Sequence, residues 1–78
     1  MKSQVLTSQK ENEWCRIQIT ENDECASWEY QEDINDEETY EEGNLYFDDD
    51  VVIDYDGCYS LPSMVTELLD DVRIKYDL

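Results

Sequence analysis

Trp14-Cys15-Arg16-Ile17-Gln18-Ile19-Thr20 sets Cys15, Ile17 and Ile19 at alternate positions with Arg16 and Gln18 between them. Successive side chains of a strand point to opposite faces, so this period of two predicts a half-buried β-strand. Glu21-Asn22-Asp23 then supplies turn chemistry. Cys25 to Tyr30 returns as a second strand with Ala26, Trp28 and Tyr30 facing inward. Upstream, Gln4 to Thr7 adds a short N-terminal strand.

Downstream, Leu45-Tyr46-Phe47 and Val51-Val52-Ile53-Asp54-Tyr55 read as two strands joined by a turn at Asp48-Asp49-Asp50. Asp56-Gly57 is a turn of the Asp-Gly type. Between these pairs, Asn35 followed three residues later by Glu38 fits a capping box, and Gly43 sits where a helix commonly ends. The expectation there is a short helix over 36–42, or else a loop.

Near the C-terminus, Ser60 or Leu61 caps a helix that Pro62 opens. Leu61, Val65, Leu68, Leu69, Val72 and Tyr76 recur at three and four, giving one apolar face. Arg73 and Lys75 would then lie in its last turn, where cations suit the helix dipole. A competing reading ends the helix near Asp71 and makes a last strand through Val72, Ile74 and Tyr76. The unbroken apolar spacing favours the longer helix. The expected class is α+β: a small antiparallel sheet of three to five strands with one C-terminal amphipathic helix packed on its apolar face. Residues 1–78 form a single acidic domain, because a chain of this length has no room for a second core.

Charge sets the functional reading. Net charge is −17, and no lysine, arginine or histidine occurs between Arg16 and Arg73. Within that gap, residues 21–56 hold 16 of the 22 acids. Such self-repulsion opposes compactness, so the field speaks about partners rather than packing. Acidic tails that stay disordered are poor in aromatics, whereas this chain has nine and is 40% hydrophobic, so it is expected to fold. Crowded carboxylates should on average have raised pKa values in the fold, stabilising it as pH falls from 7 toward about 5.

Enzyme chemistry is not expected. There is no histidine, no Gly-rich phosphate loop, no nucleophile elbow and no zinc-ligand spacing. Asp54-Tyr55-Asp56-Gly57 resembles part of a calcium loop, but Val52 and Ser63 stand where the first ligand and the bidentate glutamate belong. No catalytic residue, metal site or cofactor is assigned. Three cysteines without a Cys-x-x-Cys pair fit reduced thiols. With no long apolar run and no apolar segment after Met1-Lys2-Ser3-Gln4, neither a membrane span nor a signal peptide is expected. That places the chain in a cytoplasm, as a monomer or homodimer.

Carboxylates at i and i+2 on one strand face lie about 6.6–6.8 Å apart, on the order of the spacing of successive phosphates. Glu29, Glu32, Asp33, Asp36, Glu37, Glu38, Glu41, Glu42, Asp48, Asp49, Asp50, Asp54 and Asp56 are the candidate partner-binding acids. Tyr30, Tyr40, Tyr46 and Tyr55 lie among them and can add stacking or anchor contacts, although strand parity turns Tyr30 and Tyr55 inward. In size, charge and lack of catalytic equipment, the chain resembles the small DNA-mimic proteins that phages use against host defences, the resemblance lying in composition over residues 11–71. That group includes anti-CRISPR proteins, anti-restriction proteins and uracil-DNA glycosylase inhibitors. The resemblance implies stoichiometric inhibition of a basic nucleic-acid-binding protein in the host cytoplasm, a CRISPR effector before a restriction or repair enzyme. It implies no direct binding of nucleic acid. The alternative is an acidic module that binds a basic partner outside host defence: an antitoxin, a transcription modulator or a chaperone.

Overall fold

A computed structural model describes residues 3–20 and 25–78, with Cys25 as backbone alone. Six strands form one sheet in sequence order: β1 (Gln4–Lys10), β2 (Glu13–Ile19), β3 (Cys25–Gln31), β4 (Tyr40–Asp48), β5 (Val51–Tyr55) and β6 (Lys75–Tyr76). The first five run antiparallel, and β6 lies parallel to β5. A parallel neighbour needs a crossover, and here residues 56–74 supply it, carrying the helix α1 (Ser63–Asp71).

The expected fold class is therefore corrected. The molecule is a six-stranded, curled half-barrel with one short helix, and half of its described residues are strand. It is not a sheet of three to five strands under a long helix.

The period-two reading holds where it was strongest. Cys15, Ile17 and Ile19 from β2, Ala26 and Trp28 from β3, Leu45 from β4 and Val52 from β5 are buried on the inner face. Met64, Val65, Leu68 and Leu69 of α1 close over them. Tyr30 and Tyr55 pack against this core, as their parity requires. β1 exists and reaches beyond Thr7 to Lys10, joined to β2 by a two-residue turn in which Glu11 adopts φ 57°. The turn read at Glu21-Asn22-Asp23 lies outside the described residues.

Two helical expectations fail for identifiable reasons. Over 36–42 only a 3₁₀ turn forms, Glu37–Thr39, capped by Asp36 rather than Asn35 through Glu38 N–H donating to Asp36 Oδ1 at 3.1 Å. Tyr40 to Gly43 instead belong to β4, where they pair with β3. At the other end, α1 stops at Asp71 rather than reaching Tyr76. Arg73 N–H donates to Asp70 O and Ile74 N–H to Leu69 O, with Arg73 at φ 63°. This is a Schellman closure with arginine where glycine is usual. Arg73 and Lys75 consequently lie beyond the helix, and Lys75 and Tyr76 extend the sheet. Neither Ser60 nor Leu61 caps α1; Pro62 precedes it without a side-chain cap.

Candidate partner-binding surface

The outer face of β3, β4 and β5 carries the centre of the acidic field. Register places Glu29 directly opposite Glu42 across β3 and β4. Like charges in that relation repel, and two neighbours relieve them. Arg16 on β2 lies 3.6 Å from Glu29 Oε1. The Tyr40 hydroxyl lies 3.0 Å from Glu29 Oε2 and 2.9 Å from Glu42 Oε2, one donor between two carboxylates. Partial burial, then donation to Glu42 and Glu29, raises the Tyr40 hydroxyl above the usual tyrosine range.

Asp56 ends this face through an exchange of acceptors. Its N–H donates to Asn44 O at 3.0 Å, continuing the ladder with β4. The return bond from Asn44 N–H goes to Asp56 Oδ1 at 2.8 Å, so the carboxylate takes the place of a main-chain carbonyl. The freed carbonyl turns inward and accepts from Trp28 Nε1 at 3.1 Å. Tyr46 donates its hydroxyl to Asp56 Oδ2. Donation from Tyr46 and from the Asn44 main chain holds the Asp56 carboxyl below its usual range. The expectation of raised carboxyl pKa values is thus reversed at this residue.

The chain then crosses Gly43. A Cβ there would stand 2.0 Å from Asp56 O, and one on Gly57, which has φ 92°, would stand 2.1 Å from Glu42 O. Two glycines permit a main-chain contact that no other residue pair allows. An open hollow lined by Ser27, Glu29, Glu42, Asn44, Asp56 and Gly57 results.

The other candidate acids extend from this centre toward both ends of β4, whose nine residues span roughly 30 Å. Glu32, Asp33, Asp36, Glu37 and Glu38 occupy the β3–β4 connection at one end. There, Asp33 Oδ1 accepts from Asn35 N–H at 2.9 Å and Asp36 caps the 3₁₀ turn, so these two carboxylates shape the loop. Asp48 ends β4 at the opposite end, and Asp49 at φ 53° and Asp50 at φ 68° form the two-residue turn to β5. Asp54 lies opposite Tyr46 on the outer face, its Oδ1 accepting from Tyr55 N–H. Glu41 departs from the band: it pairs with Tyr30 and lies on the inner side of β4.

Of the four tyrosines, Tyr40 and Tyr46 remain partly exposed on the band, and Tyr30 donates inward to Glu13. Sequence reading missed Arg16 as the cation beside Glu29, which register alone reveals. It also missed the bulge at Ile53, the extra residue where Tyr46 and Phe47 face Asp54 and Val52. No group of three acids or thiols among the described residues is placed to hold a metal ion. No described helix is long and apolar enough to cross a membrane. Comparison with known proteins finds no matching family, no similar curated sequence and no similar solved structure.

Proposed function

We propose that this chain is a polyanion mimic that occupies the basic nucleic-acid-binding surface of a host defence protein, a CRISPR effector foremost, and restricts access for DNA or RNA. One observation carries the reading: acids stand where the fold holds them against their mutual repulsion or at a backbone cost. Glu29 faces Glu42 across two paired strands, and Asp49 and Asp50 occupy left-handed positions that asparagine and glycine fill at lower cost. The paired strands hold Glu29 and Glu42 at one level and Asp48 at the far end of β4, a strand about 30 Å long. Grooves that grip nucleic acid present lysine and arginine and release counterions when phosphate arrives. Carboxylates held on one face meet the same cations, and the long-range field speeds the encounter.

The test is competition. A guide-loaded CRISPR effector, a restriction enzyme and uracil-DNA glycosylase are each mixed with their labelled DNA and titrated with the protein from low to high salt. Displacement at low salt that fades as salt rises is expected for one of them. Glu29→Lys with Glu42→Lys should weaken that displacement at least about tenfold, since two repulsive contacts replace two attractive ones. Unchanged DNA binding by all three, or full potency from the double variant, overturns the proposal.

A further inference from the structure

We infer that the free edge of β1 is a self-association site, at which a second copy of this chain pairs antiparallel about a two-fold axis at Thr7. Among the described residues, β1 has one strand neighbour, β2, along all seven of its residues. No described strand pairs with its other side, where alternate main-chain N–H and C=O groups are available for a ladder; α1 approaches β1 as well. Most guards of an edge are missing: β1 contains no proline, its register with β2 is unbroken, and Lys10 at its end is its one charge. The opposite edge, β6, is two residues long and offers no comparable ladder.

Charge selects the occupant. The first ten residues hold two lysines and no acid, in a chain of net charge −17. On the outer face, Val5, Thr7 and Gln9 of β1 lie beside Gln18, Arg16 and Trp14 of β2, and none of these six is acidic. The nearest acid of the outer band is Glu29 on β3. With strands about 4.8 Å apart, pairing β1 with β1 separates Glu29 from its symmetry mate by about 24 Å. That is about three Debye lengths at physiological salt. Two copies of a strongly negative chain can therefore meet here, at an outer strip without acids, with Glu11 and Glu13 confined to its Lys10 end.

Centring on Thr7 sets Thr7 against Thr7, Val5 against Gln9 and Leu6 against Ser8, with Lys10 against Gln4. Val5, 57% exposed beside a shallow hollow formed with Ser3, Gln18 and Ile19, gains cover. The arrangement is isologous, so it closes as a dimer rather than growing into a filament.

Sedimentation equilibrium of the full chain from 5 to 500 µM protein, at 50 and 500 mM salt, tests the inference. A monomer–dimer equilibrium that tightens with salt is expected, because screening removes repulsion while leaving the ladder intact. Thr7→Glu and Thr7→Lys should each weaken dimerisation about tenfold or more, since like charges then face across the axis. An equimolar mixture of T7E and T7K should restore it as a heterodimer. A monomer at every condition overturns the inference. So does a dimer that loosens with salt, or one that T7E and T7K leave unchanged.

Discussion

Replacing Gly43 by alanine inserts one methyl group between two stretches of main chain, and the structure sets the size of the penalty. The new Cβ would lie 2.0 Å from Asp56 O, 2.7 Å from Asp56 C and 2.9 Å from Gly57 Cα. All three are backbone atoms, so no side chain can swing aside. Ordinary contact requires the 56–57 strap to retreat by more than 1 Å, given carbon separations of about 3.5–4.0 Å. That movement breaks the bond from Trp28 Nε1 to Asp56 O at 3.1 Å and strains Asp56 N–H to Asn44 O at 3.0 Å. Overpacking costs about 1–3 kcal/mol, and two hydrogen bonds add about 1 kcal/mol each. Against this, alanine restricts the unfolded chain and returns about 0.4–1 kcal/mol. The net loss is about 3 kcal/mol, a large share of the ~4–12 kcal/mol typical for a chain of this length. Urea denaturation followed by far-ultraviolet circular dichroism and by tryptophan fluorescence measures it. Gly57→Ala should cost a similar amount, and the double variant less than the sum, because both press on one contact. A Gly43→Ala protein within about 1 kcal/mol of wild type would refute the close approach on which this outer face depends.

Asp49→Asn with Asp50→Gly, which suits a turn with two positive φ values, should raise stability by about 1 kcal/mol in thermal melts while reducing competition with DNA; an unchanged or lower melting temperature contradicts the strained turn. The depressed Asp56 carboxyl contributes stability that is present above its unfolded pKa of about 3.9 and is lost as pH falls through the lower folded value. Asp56→Asn should therefore flatten the acid limb of a denaturation curve, and an acid limb identical to wild type would remove that role. Tyr30 is shifted the other way, by burial and then by donation to Glu13, so its contribution is complete below about pH 10 and fades as pH rises toward the folded value. Melts between pH 8 and 11 should show this alkaline loss, and Tyr30→Phe should reduce it. Burial first, and then nearby Glu13, pushes the Cys15 thiol up to about 11; its alkylation at pH 8, followed by mass spectrometry, should proceed no faster than unfolding, and rapid native labelling would contradict a closed core.

The parts of the fold legible in the sequence are those governed by alternation. Cys15, Ile17 and Ile19, then Ala26 and Trp28, announce β2 and β3 because one-sided burial imposes the period directly. Asp49-Asp50 between apolar runs announces the β4–β5 turn. The first half of β4 was hidden because Glu41, Glu42 and Gly43 are poor strand formers, and pairing with β3 decides their conformation instead. The end of α1 was hidden for a related reason. Val72 and Tyr76 continue the helical spacing, yet the chain reverses at Arg73, where no glycine marks the left-handed turn. Within the candidate surface, the sequence named Glu29 and Glu42 as acids but set Glu42 in a helix or loop, so their direct opposition and the Tyr40 hydroxyl between them depend on register. Asp33 and Asp36 looked like surface charge and prove to be turn-shaping acceptors, which only the loop geometry distinguishes.

The crossover from β5 through α1 to β6 carries a kinetic implication. β1 to β5 join neighbours through short connections, so each hairpin closes a small loop. β6 meets β5 only after the nineteen residues from 56 to 74 have found their path. Closing the longer loop first would cost more chain entropy for two ladder positions. Assembly thus has a natural direction: the meander zips early, and the C-terminal residues latch it late, when Asp77 N–H reaches Val52 O.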